Sequence, residues 1–169
     1  AGLDVKLLPL GPETNWKLRL EDVEEAISKS PALVYICNPN NPTGTWVDDA
    51  TMIEFLDRVP ERVWVVLDEA YFEYIDLEHY PNGVELTRRY PNLIVTRTFS
   101  KIHGLASLRI GYSVTNSDFA DFMNRIRQPF NVSSVALQAA EAALRDDSFV
   151  GTSRELNSEG MRQITKGLK

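Results

Sequence analysis

The sequence predicts an α/β fold of three layers, in which helices cover both faces of a mostly parallel sheet that contains one antiparallel strand. The apolar runs at residues 33–37 and 63–67 show no polar alternation, which is typical of strands covered on both faces in a parallel sheet. Segments with helical periodicity lie between such runs. The run at 110–114 follows the run at 92–95 after too short a link for a helical crossover, so we expect this pair to be antiparallel.

Before the first buried run, the chain predicts a short strand, a turn and a helix. Residues 5–10 are interpreted as a short strand, in which Pro9 indicates a strand end or the sheet edge because it cannot donate a hydrogen bond to a neighbouring strand. Residues 11–15 are interpreted as a turn, and residues 18–27 as a helix with acidic residues on its solvated face. The apolar stripe of this helix consists of Leu20, Val23 and Ile27.

A second helix and an irregular surface segment flank the strand at 63–67. Asp48 or Asp49 is expected to cap the helix, since a carboxylate can accept hydrogen bonds from the first free amides. The segment at 72–83 is interpreted as an irregular excursion, and residues 84–90 as a short helix leading into the strand at 92–95. The buried stripe of the capped helix is predicted to be Met52, Ile53, Leu56 and Val59.

Three helical segments follow the antiparallel strand. The first extends to Gln128 with Ser117 or Asp118 as its cap, and Pro129 ends it. The second covers residues 135–144 after Ser133 or Ser134, and the third begins at Asp147 or Ser148. The first helix is expected to bury Phe119, Phe122, Met123 and Ile126.

The loop after residues 92–95 carries one group of candidate functional side chains. Lys101 follows two hydroxyl residues, Thr98 and Ser100, and precedes Arg109. A lysine at the end of a core strand is expected to be partly removed from water, which favours the neutral amine that can form a Schiff base with an aldehyde. Guanidinium and hydroxyl donors suit a phosphate group. These side chains together suggest pyridoxal 5'-phosphate, although an ordinary solvated lysine remains the alternative.

Polar residues also follow the other two buried runs. Asn41 lies in an Asn-Pro-rich loop after residues 33–37, and Asp68 and Tyr71 follow residues 63–67. In open α/β sheets, ligands bind at the carboxyl ends of the strands. Asp68 could hold the protonated pyridine nitrogen of the cofactor, and the other two could donate hydrogen bonds to its phenolic oxygen. The alternatives are an Asn-Pro turn, and a lysine or helix N-terminus as the partner of Asp68.

Taken together, the motifs at these strand ends resemble the fold-type I pyridoxal-phosphate enzymes of the aspartate aminotransferase superfamily. The likeness is strongest to the histidinol-phosphate aminotransferase branch, and it covers almost the whole chain. The motifs are NPNNPTG at 38–44, DEAY at 68–71, TFSK with GL and LRIGY across 98–112, and PFNV at 129–132.

The resemblance implies a role for each candidate residue. Lys101 would be the Schiff-base lysine and a catalytic residue, together with Asp68 and Tyr71. The cofactor would be bound by Asn41, Asp68, Tyr71, Thr98, Ser100, Lys101 and Arg109. His103 stands where the family often has an aromatic side chain, so a structural filler is favoured there over a proton shuttle.

The resemblance also implies the reaction and its partners. We expect an aminotransferase that moves an amino group between histidinol phosphate and 2-oxoglutarate in histidine biosynthesis, acting as a cytoplasmic homodimer on a small-molecule amino donor and a 2-oxo acid. The alternatives are an amino-acid-phosphate decarboxylase, an aromatic aminotransferase, an aminotransferase-like regulatory domain behind a DNA-binding domain, and a cofactor-free fragment that only folds.

Composition narrows these possibilities. The formal net charge of −6 argues against nucleic-acid binding, and no apolar run approaches the roughly 20 residues of a membrane span. Cys37 is the only cysteine, which fits a reducing cytosol, and the His and Cys spacing predicts no metal site. At 169 residues the chain is expected to be a partial large domain, lacking the small domain and the N-terminal part of the large domain, and inactive by itself.

Overall fold

The computed structural model describes residues 4–29 and 31–168, and it contains a four-stranded sheet in the order β1-β2-β3-β4. The first three strands are parallel, and β4 is antiparallel to β3. This arrangement confirms the predicted mostly parallel sheet with one antiparallel strand. The strands are β1 (Leu33–Cys37), β2 (Trp64–Asp68), β3 (Leu93–Thr98) and β4 (Gly111–Val114).

Helices alternate with the parallel strands and then follow β4. Short 3₁₀ turns lie at Pro12–Thr14, Phe72–Tyr74 and Ala106–Leu108. The α-helices are α1 (Leu20–Ile27), α2 (Asp49–Arg58), α3 (Gly83–Leu86), α4 (Ser117–Ile126), α5 (Ser134–Ala143) and α6 (Asp147–Gly167).

One face of the sheet carries the main hydrophobic core. Its strand residues alternate with those of the opposite face, since successive side chains of a strand point to opposite sides. Burial of these side chains removes a large apolar area from water and supplies most of the stabilisation of the domain. The core includes Ile36, Val65, Leu67, Leu93 and Val95 from the strands and Leu20, Val23, Met52, Phe55 and Leu56 from α1 and α2.

The opposite face is covered unevenly, contrary to expectation. The Trp64 ring packs against Phe119 of α4, with centroids 4.2 Å apart. At the other side of the sheet, Leu33 and Tyr35 of β1 are about half exposed, at 49% and 58%. The prediction that residues 33–37 are covered on both faces is therefore wrong for β1. An uninterrupted apolar run indicates that both faces of a strand are apolar, but it does not show which of these faces other segments cover.

Several predicted elements differ from the structure. Residues 5–10 are irregular rather than a strand, because they pair with no strand of the sheet and Pro9 lacks an amide donor. The helix predicted at 84–90 is α3 and ends at Leu86, followed by turns. By contrast, the turn near residues 11–15 and the caps at Asp48 and Ser133 are confirmed.

Corrections also apply to α4 and α6. The cap of α4 is Asn116, one residue before the predicted positions, and the cap of α6 is Asp146. Each side chain accepts a hydrogen bond from the amide three residues on, the geometry that defines an N-cap. The expected burial of Phe122, Met123 and Ile126 is wrong, since these side chains are 43–62% exposed. An amphipathic stripe requires a partner surface, and the described residues leave this one uncovered.

Among the described residues, no helix has both the length and the apolar character needed to cross a bilayer.

Candidate active site

The strand register aligns the ends of the three parallel strands at one edge of the sheet. Cys37 of β1 pairs with Asp68 of β2, and Asp68 pairs with Thr96 of β3. Residues paired in this way project to the same face. The loops that follow the three strands therefore begin side by side, and they bring the candidate residues of separate motifs to one edge.

The loop after β1 is held in place by the buried side chain of Asn38. Its amide donates to the Val47 carbonyl at 3.2 Å and accepts from the Val47 amide at 2.8 Å. Two hydrogen bonds close the loop itself, from the Asn40 amide to the Thr45 carbonyl and from the Gly44 amide to the Asn40 carbonyl, each at 2.8 Å. These contacts give Asn41 a defined position on an otherwise exposed loop.

Three predicted site residues contact one another across two strand ends and the lysine loop. The Asn41 side-chain amide donates a hydrogen bond to the Tyr71 hydroxyl at 2.9 Å. The Lys101 Nζ lies 5.2 Å from the centroid of the Tyr71 ring. An amide, a phenol and an amine, each from a different motif, are thus within reach of one small ligand.

Asp68 is held by donors on both of its carboxylate oxygens. Oδ1 accepts from the Ala70 amide at 3.0 Å, and Oδ2 accepts from the Tyr35 hydroxyl. Burial raises the pKa of the Tyr35 phenol, and the hydrogen bond and the charge of Asp68 raise it further. Tyr35 was missed by the sequence reasoning, although strand alternation puts it on the same face as Cys37, the register partner of Asp68.

The lysine loop brings together the predicted phosphate donors. The Ser100 amide donates to Thr98 Oγ1 at 3.1 Å, and Arg109 Nη1 lies 3.4 Å from Ser100 Oγ. Arg109 also donates to the Ala106 carbonyl at 2.7 Å. Gly104 has a φ of +71°, a left-handed conformation that glycine adopts without strain. A guanidinium, two hydroxyls and a backbone amide therefore cluster beside the lysine.

One expectation for Lys101 is wrong in the described chain. Its side chain is exposed, so it is not partly removed from water as predicted. The loop turns outward after the buried Phe99, while Ile102 returns to the interior. A sequence pattern places the lysine at the strand end, but its solvation depends on which other segments cover that edge.

A buried ion pair lies on the opposite face of the same strand ends. Arg97 binds the fully buried Glu69 through two contacts of 2.7 and 2.8 Å to Oε2, and its guanidinium lies 3.6 Å from the Phe72 ring centroid. Glu69 Oε1 accepts from the Gly83 amide at 2.8 Å, and a Cβ at Gly83 would lie 2.6 Å from that oxygen. Burial raises the pKa of the Glu69 carboxyl, against the opposing effect of Arg97.

Sequence reasoning did not identify this pair. Because strand side chains alternate, Glu69 and Asp68 leave β2 on opposite faces. The pair anchors the segment from Phe72 to Gly83 beneath the site, rather than reaching the edge where Lys101 lies.

The side chain of His103 is mostly covered, at 8% exposure, and lies between the lysine loop and the segment at 72–74. Its ring packs against Phe99 with centroids 5.1 Å apart, and its Nε2 lies 3.9 Å from Glu73 Oε1, beyond hydrogen-bonding distance. Its buried Nδ1 has no hydrogen-bond partner among the described residues. These contacts favour a packing role. Across residues 4–29 and 31–168, no group of three or more His, Cys, Asp or Glu side chains is arranged to hold a metal ion.

Comparison with known proteins gives a consistent family. The model for the family described as aminotransferase class I and II matches residues 1–169. The chain is 55% identical over 146 residues to histidinol-phosphate aminotransferase 1 of Nitrosococcus oceani. The aligned region covers 86% of this chain and 40% of that relative. It is 49% identical over 158 residues to histidinol-phosphate aminotransferase 2 of Pseudomonas fluorescens strain Pf0-1, covering 94% and 43%.

A solved structure has a similar fold. The histidinol-phosphate aminotransferase from Sinorhizobium meliloti, in complex with pyridoxal-5'-phosphate, matches with a TM-score of 0.81 and 35% identity. The match covers 86% of this chain and 40% of that one. The chain thus spans about two fifths of the length of the relatives it matches.

Proposed function

Because the chain belongs to the class I and II aminotransferase family, we propose that it is part of a pyridoxal-phosphate-dependent enzyme that transfers an amino group between histidinol phosphate and 2-oxoglutarate. The observation that carries this proposal is the meeting of Asn41, Tyr71 and Lys101 at the edge where β2 ends in Asp68. The choice of amino donor is supported by the names of the two relatives, both histidinol-phosphate aminotransferases, which share 55% and 49% sequence identity with this chain.

The chemistry of the residues fits this cofactor. A primary amine can bind an aldehyde, a carboxylate can bind a protonated pyridine, and a guanidinium with two hydroxyls can bind a phosphate. In the proposed assignment, Lys101 binds the aldehyde and Asp68 the pyridine nitrogen. Asn41 and Tyr71 bind the phenolic oxygen, and the phosphate is held by Thr98, Ser100 and Arg109.

The protein residues then control where the protons reside. When bound, the cofactor supplies a conjugated ring that accepts electrons from the substrate α-carbon. Asp68 keeps a proton on the pyridine nitrogen. Lys101 would act as general base, its neutral amine taking the proton from the substrate α-carbon and, as an ammonium, giving that proton back at a later step. Tyr71, with Asn41 as its hydrogen-bond donor, orients the ring.

We also propose that the chain is a partial large domain of a longer, cytoplasmic, homodimeric enzyme. The proposal that the chain is part of a longer enzyme is supported by its spanning 40% and 43% of the two relatives described above. The small domain and the N-terminal part of the large domain would then lie outside residues 1–169. The partners are a small-molecule amino donor and a 2-oxo acid, which are the substrates an aminotransferase requires.

Covalent capture of the cofactor tests the site. The full-length protein is loaded with pyridoxal 5'-phosphate, reduced with borohydride, digested and analysed by peptide mass spectrometry. We expect the reduced cofactor on Lys101, and no stable adduct in Lys101→Ala. Lys166, an exposed lysine in the last helix, provides the control substitution Lys166→Ala, which should leave the adduct unchanged. A reduced cofactor on a different lysine would overturn the assignment.

Substrate assays test the reaction. The same protein is incubated with 2-oxoglutarate and either histidinol phosphate, an aromatic amino acid or an amino-acid phosphate, while glutamate and carbon dioxide are measured. We expect glutamate formation to be fastest with histidinol phosphate. Release of carbon dioxide from the amino-acid phosphate, or a preference for the aromatic amino acid, would replace the proposed donor without changing the proposed cofactor.

A further inference from the structure

Tyr35 lies on the same sheet face as Asp68 and reaches its carboxylate. It is two residues before Cys37, the register partner of Asp68, so its side chain projects to the same side. Its hydroxyl donates a hydrogen bond to Asp68 Oδ2. None of the motifs discussed above includes this tyrosine, and the proposed mechanism does not use it.

The carboxylate is held from two directions. The Ala70 amide donates to Oδ1 at 3.0 Å from the chain following β2, and Tyr35 donates to Oδ2 from β1. A carboxylate has about four lone-pair sites, so two donors leave sites for a third. A group fixed in this way requires little reorganisation when a ligand binds, which favours affinity.

We propose that Tyr35 is a positioning residue for Asp68, fixing the carboxylate in the orientation in which it receives the pyridine nitrogen of the cofactor. This inference rests on the proposed function. It assigns Tyr35 no contact with the reacting atoms. The effect is transmitted through the Asp68 carboxylate.

The surroundings of the pair contain few other titratable groups. Cys37 on β1 faces it, and burial together with the charge of Asp68 raises the pKa of that thiol. Thr96, the partner of Asp68 on β3, is uncharged. Its hydrogen bond lowers the pKa of Tyr35, whereas Asp68 raises it. Burial is the largest cause of the raised pKa of the Tyr35 phenol, and the hydrogen bond and charge of Asp68 follow it.

The chain offers a matched control in a second tyrosine–aspartate pair. The Tyr90 hydroxyl donates to Asp57 Oδ1 at 2.7 Å. Burial, with the hydrogen bond and charge of Asp57, raises the pKa of Tyr90 to about 12. This pair lies before β3, at the amino end of the strand, whereas Tyr35 and Asp68 lie toward the carboxyl edge.

The first measurement uses the full-length protein without cofactor. Tyrosine ionisation is followed by NMR with ¹³C-labelled tyrosine in the wild type, Asp68→Asn and Asp57→Asn. In the wild type, Tyr35 should stay protonated at about pH 10, where an unperturbed tyrosine ionises. Asp68→Asn should raise the acid dissociation constant of Tyr35 by roughly tenfold or more and leave Tyr90 unchanged, and Asp57→Asn should do the reverse.

The second measurement is the dissociation constant of pyridoxal 5'-phosphate, obtained by equilibrium dialysis. Tyr35→Phe should weaken binding by roughly tenfold, the loss expected for one hydrogen bond to a charged group. Tyr90→Phe removes the same kind of hydrogen bond elsewhere and should bind as the wild type does. Thermal melting of both variants verifies that they remain folded.

The outcomes separate this inference from the proposed function. If Tyr35 titrates identically in the wild type and Asp68→Asn, or if Tyr35→Phe binds the cofactor as tightly as the wild type, Tyr35 does not position Asp68, while the cofactor site stands. If the wild-type protein binds no cofactor, the proposed function fails and the role of Tyr35 fails with it.

Discussion

At the residue scale, Asp68 illustrates how a strand end becomes a candidate site. The strand β2 delivers the carboxylate to the sheet edge, and the Ala70 amide and the Tyr35 hydroxyl occupy one oxygen each. Asp68 is partly buried, and removing a charge from water without such partners would be costly. The remaining acceptor sites can then serve a ligand, which is why loss of the carboxylate should affect chemistry more than folding.

Substitution of Asp68 by alanine tests this separation. In the full-length protein, Asp68→Ala should still permit covalent attachment of the cofactor to Lys101, but should lower kcat by on the order of 100-fold or more, because the pyridine nitrogen loses its charged partner. The exposed Asp76 provides the control substitution Asp76→Ala, which should retain kcat. Near wild-type turnover in Asp68→Ala would exclude the proposed role.

His103 illustrates a polar residue whose contacts are those of an apolar one. Its Nδ1 is buried without a hydrogen-bond partner in the described part of the chain, and its ring packs on Phe99. A buried polar group without a partner lowers stability by about 1–3 kcal/mol. The packing of the ring, rather than its nitrogen atoms, is therefore expected to account for its contribution.

Two substitutions of His103 distinguish packing from polarity. His103→Phe should leave the free energy of unfolding unchanged or raise it by up to about 1 kcal/mol, since the ring contact is kept and the unpaired nitrogen removed. His103→Ala should lower it by about 1–3 kcal/mol, since the ring contact is lost. Chemical denaturation measures both. A proton-transfer role would be indicated if His103→Phe folded normally but lost turnover.

At the element scale, the end of β2 serves two purposes through alternation. Asp68 projects toward the candidate site, whereas Glu69 projects to the opposite face and binds Arg97 of β3. Removing one partner of a buried ion pair is typically destabilising by 3–5 kcal/mol, because the other charge remains buried. The same two strands therefore hold the site and the segment beneath it.

Helix α2 provides a test of capping at this scale. Asp48 accepts from the Thr51 amide at 2.8 Å, and hydrogen bonding by Thr51 holds the pKa of Asp48 below its usual range. Asp48→Ala should lower the free energy of unfolding at neutral pH by about 1 kcal/mol. The lowered pKa means that this stabilisation is present above the unfolded-state pKa and is lost as the pH falls through the folded-state value.

Denaturation between neutral and acidic pH checks this prediction. The difference between the wild type and Asp48→Ala should disappear at low pH, where the carboxylate is protonated. Asp49→Ala provides the control, because among the described residues the Asp49 side chain accepts from the adjacent Ala50 amide and from no amide deeper in the helix. This substitution should show no such pH-dependent difference. A difference that stays constant with pH would show that the Asp48 charge does not stabilise the helix.

At the scale of the whole molecule, apolar side chains on the later helices face outward. Exposed apolar side chains, where they form a continuous surface, usually mark an interaction site or promote association. The exposed residues include Phe122, Met123 and Ile126 of α4, Phe130 after it, Leu137 of α5, and Leu156 and Ile164 of α6. With the half-exposed face of β1, they indicate that further protein surface would be needed to cover this domain.

The isolated 169-residue chain tests this reading. We expect it to fold with the sheet described above, to self-associate at micromolar concentration, and to lack transaminase activity. Ile126→Glu with Phe130→Glu should shift light-scattering mass toward the monomer, whereas Leu77→Glu, on a separate segment of the surface, should not. Transamination by the isolated chain, or a monomer that is insensitive to these substitutions, would contradict the prediction.

Much of the architecture was determined by sequence patterns that act locally. Apolar runs of four or five residues specify β1, β2 and β3, and the short link to β4 specifies its antiparallel direction. Strand β2 ends in Asp68, and the loops after β1 and β3 carry Asn41 and Lys101 a few residues beyond the strand ends. Parallel pairing alone therefore brings these residues to one edge, whatever else packs around the sheet.

Tertiary structure decided the features that depend on which surfaces meet. The pairing of Tyr35 with Asp68 and of Glu69 with Arg97 arises from register and alternation between strands that are distant in sequence. The exposure of Lys101 and of the α4 stripe depends on the cover that neighbouring segments provide. Local periodicity shows that a face is apolar or that a charge lies at an edge, but burial is a property of two surfaces, and only the folded chain supplies the second.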